Sequence, residues 1–280
     1  MKVLITGASS YVGASVYAHL KEKCDLIGTY HTNKLFPELE FLDITDKREV
    51  KEFIDLNKPD FIVHVAANAS GDWCEKNPEK AVSINQHGTE NIVSAANRVN
   101  SKIIFISSFA VSNKQSLYGR TKAESENYVK KVRSGWMILR PSLIVGMSPN
   151  TQNDRPFNRI LRNITEHNPA AYDISWKFQP TWLRHINEVI EVVIKRGIVN
   201  EIIPIAVPEL RTRYDMAKDI LTNFDIQVSP VNKNDKTPTF RDDLKKLKDL
   251  RLPVYTYEEM ITGIINELKK YLKDTNQHLV

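Results

Sequence analysis

The stretch Thr6-Gly7-Ala8-Ser9-Ser10-Tyr11-Val12-Gly13 follows the apolar run Val3-Leu4-Ile5 and opens an amphipathic segment over residues 12–23. A glycine turn between strand and helix lets the backbone approach a phosphate, and the first helical N–H groups and the helix dipole stabilise its charge. A G-x-x-G-x-x-G spacing would put the middle glycine at position 10, where this chain carries Ser10. Serine is small enough for close approach and can donate a hydrogen bond. The reading is a strand over Lys2–Thr6, a helix over 12–23, and a dinucleotide pyrophosphate held by Gly7, Ser9, Ser10, Tyr11, Val12 and Gly13.

Working outward, short apolar runs alternate with amphipathic stretches. Strands are expected at Asp25–Tyr30, 61–66, 102–107 and 136–140, and helices at 46–56, 77–99 and 118–132. That rhythm predicts an α/β fold, a Rossmann-type doubly wound parallel sheet, over residues 1–146. After Gly146 the alternation fails. Residues 147–184 and 198–280 are expected to form a smaller substrate-binding lobe, with a helix over 185–197 returning to the first domain. Within the second half, 202–206 reads as a strand, 213–224 as a helix, 228–239 as an exposed loop and 257–272 as a basic helix.

Basic residues number 39 and acidic ones 34, mixed along the chain, so the net charge of +5 describes a solvated surface and calls for no nucleic acid. Cys24 and Cys74 are the only cysteines and no His/Cys cluster has metal spacing, which points to a reducing compartment and to no metal. Met1-Lys2 leads straight into a strand, and the longest apolar runs fall short of the roughly 18–20 residues of a membrane span. A cytoplasmic, membrane-free protein is expected.

The end of the second strand bears on cofactor choice. An acid there would bond a ribose 2′-hydroxyl and repel a 2′-phosphate. Tyr30-His31-Thr32-Asn33-Lys34 has none. His31, Thr32 and Lys34 therefore favour NADP (NADPH), with NAD the weaker alternative, unless Lys34 merely faces solvent. In Leu42-Asp43-Ile44, Asp43 is a candidate for the adenine amino group and equally a helix cap.

These residues, with His64-Val65-Ala66-Ala67, Ser83-Ile84-Asn85 and Tyr118-Gly119-Arg120-Thr121-Lys122, resemble the extended short-chain dehydrogenase/reductases. Within them the chain is most similar to the dTDP-4-dehydrorhamnose reductase group of nucleotide-sugar 4-ketoreductases. Asp72-x-Cys74-Glu75-x-x-Pro78, Arg140-Pro141-Ser142-Leu143-Ile144-Val145-Gly146, Gln179-Pro180-Thr181-Trp182 and Arg213-Tyr214-Asp215-Met216-Ala217 add to it. The resemblance covers about residues 1–225 and is patchy beyond Gly146. It implies an NAD(P)-dependent oxidoreductase of polysaccharide biosynthesis that takes a nucleotide sugar, with room for a homodimer. Ala66 and Ala67 would border the cofactor.

The chemistry asks for the same residues. Reducing a carbonyl leaves an alkoxide that needs a proton. Tyr118 and Lys122, four apart, share a helix face, so Lys122 can act on Tyr118 and hold the nicotinamide ribose. Tyr118 is the expected acid and Ser108 the residue that orients the carbonyl oxygen; the resemblance implies that Asn85, matching the family's helix asparagine, supports a water or backbone link to the lysine. Two departures stand out. Ser108 and Tyr118 are ten positions apart, where extended members carry a much longer loop, and Phe109 stands where sugar 4,6-dehydratases place an acid. Arg155, Arg159, Arg162 and Arg184 are candidates for a phosphate clamp, and Trp176, Phe178 and Trp182 for stacking on a base or sugar. The functional expectation is a 4-ketoreductase; a catalytically idle cofactor-binding regulatory subunit and an epimerase are the alternatives.

Overall fold

Along Val3-Leu4-Ile5 successive side chains point to opposite faces, and all three are fully buried, Val3 and Ile5 in one apolar core and Leu4 in another. A strand buried on both faces needs helices on both sides. A computed structural model, which describes residues 1–277, has that arrangement. In chain order the first half contains β1 (Lys2–Thr6), α1 (Tyr11–Leu20), β2 (Asp25–Tyr30), β3 (Glu40–Phe41), α2 (Lys47–Asn57), β4 (Phe61–His64), α3 (Gly71–Lys76), α4 (Pro78–Val82), α5 (Gly88–Val99), β5 (Lys102–Ile106), α6 (Leu117–Val129) and β6 (Trp136–Pro141).

The main sheet has seven strands in the order Glu201–Ile205, β6, β5, β4, β1, β2, β3. Every neighbouring pair is parallel. One core packs Val3, Ile5, Ile104, Ile106 and Leu139 against α1 and the helix Leu183–Arg196, through Val16, Leu20, Ile186 and Ile190. The other packs Leu4, Ile62, Ile103, Phe105 and Ile138 against α2, α5 and α6, through Ile54, Ile92 and Val129. Strand order reverses between β1 and β4, and in open α/β sheets the crevice beyond the strand ends at such a reversal is where ligands sit.

Four differences from the sequence reading have physical reasons. Residues 77–99 are not one regular helix. Pro78 starts α4, and a π-helical turn, Ser83–His87, separates it from α5. Residues 228–239 are not wholly loop: Val228–Val231 pairs in parallel with Ala170–Asp173, a strand too short to show an alternation. The returning helix begins at Leu183. Residues 198–280 do not all belong to a lobe, because Glu201–Ile205 extends the main sheet with Ile203 opposite Leu139; residues 278–280 of that span lie outside the described ones.

The irregular segment after Gly146 is anchored to the glycine turn. The buried Tyr11 hydroxyl donates to the Gly146 carbonyl at 2.5 Å, the Ser148 hydroxyl to the Tyr11 carbonyl at 2.7 Å, and the Asn150 amide to the Ser9 carbonyl at 2.6 Å. It runs into the helix Pro156–Thr165, which has proline in its first turn, where no N–H is missed. Among the described residues no helix is long and apolar enough to cross a membrane, and no group of three or more His, Cys, Asp or Glu side chains could hold a metal.

Candidate active site

The glycine turn is as tight as its sequence requires. Gly7 has φ +69°, and a Cβ there would lie 2.9 Å from the Ala66 Cα; a Cβ on Gly13 would lie 2.1 Å from the Gly7 carbonyl oxygen. Ser10, in the middle-glycine position, caps α1, its Oγ accepting from the Gly13 N–H at 3.0 Å.

Behind the turn lies a buried polar chain. The Thr6 hydroxyl accepts from the Val65 and Ala66 N–H groups at 3.2 and 3.3 Å, so its own hydrogen goes to the His64 Nδ1, 2.7 Å away. The Thr89 hydroxyl donates to the Asn85 carbonyl at 2.7 Å and accepts from the His64 Nε2 at 3.0 Å. This network assigns one neutral tautomer to His64. Burial, helped by the Lys122 charge, pushes its pKa down to about 3.

Ser108 follows β5 and caps the short turn Phe109–Ser112, its Oγ accepting from the Ala110 N–H at 3.1 Å. Ser116 caps α6, which carries Tyr118 and Lys122. Burial raises the Tyr118 pKa to about 12, against the opposing effects of Ser108, within hydrogen-bonding reach, and of the Arg155 charge. The buried Lys122 ammonium donates to the Ile106 carbonyl at 2.8 Å and lies 4.5 Å from the Phe105 ring centroid. Burial pulls its pKa down to about 7, with Glu126 opposing. Glu126 is itself held by a two-pronged Arg140 pair, at 2.8 and 2.6 Å, and by the Ser107 hydroxyl at 2.6 Å.

Asn85 sits in the π-helical turn. Its side-chain amide grips the backbone of Asn68 from both ends, accepting from the N–H at 2.8 Å and donating to the carbonyl at 3.0 Å. Its backbone carbonyl also accepts from the Ser125 hydroxyl on α6 at 2.6 Å. Asn85 thus ties α6, the helix that carries Lys122, to the loop after β4.

Three cavities meet at this point. One, of about 240 Å³, is bordered by Ser10, Tyr11, Val12, Ala67, Ser108, Tyr118 and Lys122. A second, of about 570 Å³, runs past Gly7, Ser9, His31, Thr32, Asp43, Ile44 and Ala66. A third, of about 970 Å³, opens between Ser70 and Asp72 on one side and Arg159, Tyr172, Arg213 and Lys233 on the other. Arg155 is the one lining residue common to all three. A cleft of this size, with small residues along its glycine turn, fits a dinucleotide.

Lys34 lies off the walls of the second cavity, its ammonium 5.8 Å from the Tyr30 ring centroid. The two alternatives for Asp43 separate. Asp46 caps α2, while Asp43 bonds Thr45 at 2.8 and 2.7 Å and borders the cavity. Phe178 and Trp182 are each 2% exposed and belong to the core, so they cannot stack on a ligand. Trp176 packs on Phe178 and under Arg213. Of the four candidate arginines, Arg159 and Arg162 are both paired to Asp154 and Arg184 to Glu188 on its own helix. Sequence reasoning missed Lys80, Asn150 and Asn153 in the second cavity and Tyr172, Arg213 and Lys233 in the third. Only the Asn-rich, aperiodic composition of 147–179 hinted at any of them.

A family model described as the RmlD substrate binding domain matches residues 1–279. The chain belongs to that family. RmlD membership bears out the likeness to the extended short-chain dehydrogenase/reductases read from the residues. The chain is 28% identical to methionine adenosyltransferase 2 subunit beta of Xenopus tropicalis over 67% of its length and 60% of the relative's. It is 33% identical to a dTDP-4-dehydrorhamnose reductase of Aggregatibacter actinomycetemcomitans over 52% of each chain. The match thus spans half to three-fifths of these relatives' own lengths. A crystal structure of dTDP-4-dehydrorhamnose reductase from Bacillus anthracis, in complex with NADP, superposes with a TM-score of 0.81 at 21% identity, covering 96% of this chain and 99% of that one. At that identity the likeness is one of fold.

Proposed function

We propose that this RmlD-family chain is an NADPH-dependent reductase acting on the 4-keto group of a nucleotide-linked deoxysugar. The observation that carries the reading is the meeting of Ser108, Tyr118 and Lys122 on one cavity that lies between the glycine-turn cleft and the large cavity of the second half. The acid-free end of β2, with His31 and Thr32 on the cleft wall, supports NADP over NAD. The NADP complex of the Bacillus anthracis protein and the name of the Aggregatibacter relative support the same cofactor and substrate class.

When bound, the reduced nicotinamide supplies a hydride to the carbonyl carbon. The Ser108 hydroxyl orients the carbonyl oxygen, and Tyr118 gives that oxygen its proton, leaving a phenolate. With a pKa near 12, Tyr118 is protonated and ready to donate at neutral pH. Lys122, whose ammonium donates to the Ile106 carbonyl, would hold the nicotinamide ribose. The buried Phe109 offers no acid or base next to Ser108, so dehydration is not supported.

The name of the Xenopus relative, a subunit of a methionine adenosyltransferase, favours a second reading: an NADP-binding regulatory subunit without turnover. Oxidation of NADPH by the purified chain with a dTDP-4-keto-6-deoxy sugar decides between them. Turnover supports the reductase. NADPH binding without turnover of any 4-keto sugar nucleotide supports the subunit.

A further inference from the structure

Arg155 is placed differently from every other arginine singled out in the second half of the chain. Its neighbour Asp154 is taken by Arg159, at 2.8 and 2.6 Å, and by Arg162, at 3.0 Å. Among the described residues the Arg155 side chain itself has no ion pair and no hydrogen bond. A half-buried guanidinium with five donors and no partner is poised for an anion. Its backbone is not free to wander. Asn150 and Ser148 tie the preceding segment to the glycine turn. The buried Asn158 amide locks the start of the next helix onto the carbonyls of Asn150 and Asn153, at 3.1 and 2.9 Å. The result is a cation carried on an anchored stretch of backbone, on the wall of the small cavity that Ser108 and Tyr118 also border.

Lys122, the cation expected to act on Tyr118, is engaged elsewhere. Its ammonium points at the Ile106 carbonyl, and burial lowers its pKa to about 7. A guanidinium stays protonated throughout. We propose that Arg155 is a positioning residue of the reaction centre, supplying the counter-charge for the phenolate that Tyr118 becomes on giving up its proton. The catalytic half of this inference rests on the reductase reading; the charge relation between Arg155 and Tyr118 does not. Arg155 also borders the cleft and the large cavity. The groups facing Tyr118 are Ser108, Cys74 from α3 and Arg155, with Lys122 on its own helix and Glu75 bound to the Leu117 N–H beside it. Of these neighbours outside α6, Arg155 is the one cation.

The test places a single fluorinated tyrosine at position 118 of the full chain, whose ring fluorines bring the hydroxyl titration into a range where the protein stays folded. Its ¹⁹F resonance is followed against pH. Arg155→Gln should raise the midpoint by about half a pH unit or more, Arg155→Glu should raise it further, and Arg155→Lys should keep most of the native value. Circular dichroism at each pH checks folding, and Arg155→Lys, least disruptive to packing, keeps the comparison if the others unfold: with the charge retained, a midpoint raised as far as the Gln expectation contradicts the proposal. An unmoved midpoint in both Arg155→Gln and Arg155→Glu overturns it. NADPH turnover is measured on the same proteins. Absence of turnover in the wild type defeats the reductase reading and leaves the titration to decide the role of Arg155 alone.

Discussion

The Asn150 side-chain amide donates a 2.6 Å hydrogen bond to the carbonyl of Ser9, 141 residues upstream. This contact joins the aperiodic segment after β6 to the turn that would hold a pyrophosphate, and both residues border the same cavity. Asn150→Ala should cost about 1 kcal/mol in stability and weaken NADPH binding several-fold, because the Ser9 carbonyl loses its tether. Isothermal titration beside a urea melt measures both. Unchanged cofactor affinity would show that the tether does not shape the cleft.

Ser10 offers a separable test of the turn. Its hydroxyl caps α1 through the Gly13 N–H. Ser10→Ala should destabilise the chain by about 1 kcal/mol, and Ser10→Gly by only a few tenths, since glycine is itself a tolerated cap. Both should still bind NADPH. Equal losses in the two variants would argue against the cap as the reason for serine here.

His64 and His185 carry a pH dependence. Burial holds the first neutral to about pH 3 and the second to about pH 4. The unfolded chain protonates both near the ordinary histidine value of about 6.5. These folded values are depressed, so the stabilisation is complete above 6.5 and is lost as pH falls through the window beneath it, at up to ~1.4 kcal/mol per pH unit for each histidine. Carboxylates held low, such as Asp154 and Glu191, both near 2, act mainly below that window. The urea midpoint should drop between pH 7 and pH 5, and less steeply in His185→Gln. A midpoint flat over that range contradicts the account.

Cofactor choice is tested at the end of β2. His31 borders the cleft and Lys34 does not. His31→Ala should therefore erode the preference for NADPH over NADH more than Lys34→Ala does, as read from paired titrations. The reverse order would mean that Lys34 swings onto the 2′-phosphate.

Much of this was legible in the residues, because each element of the first half is specified locally. Val3-Leu4-Ile5 is apolar at every position, as a doubly covered strand must be, and Gly7 and Gly13 stand where any Cβ would collide. Ser108, Tyr118 and Lys122 were found because a fixed spacing on one helix, together with a strand end, brings them together. The rest depends on contacts between distant segments. The π-helical turn at Asn85 places its side chain on Asn68, a contact between segments that no local pattern announces. Arg155 differs from Arg159 and Arg162 only because one aspartate pairs with those two. Trp182 resembles a stacking residue in composition, yet Gly263 on the C-terminal helix makes room for it in the core.

The most direct measurement of the central claim is NADPH turnover by Tyr118→Phe, with NADPH binding titrated on the same protein. The substitution keeps the ring in its packing and removes only the hydroxyl that donates the proton. NADPH affinity should stay near the wild-type value while turnover of a 4-keto-6-deoxy nucleotide sugar falls by a factor on the order of 10²–10⁴. Lys122→Ala should lose both, on the reading that Lys122 holds the nicotinamide ribose as well as supplying a charge. Turnover by Tyr118→Phe as fast as the wild type would contradict the account, because the proton would then come from elsewhere.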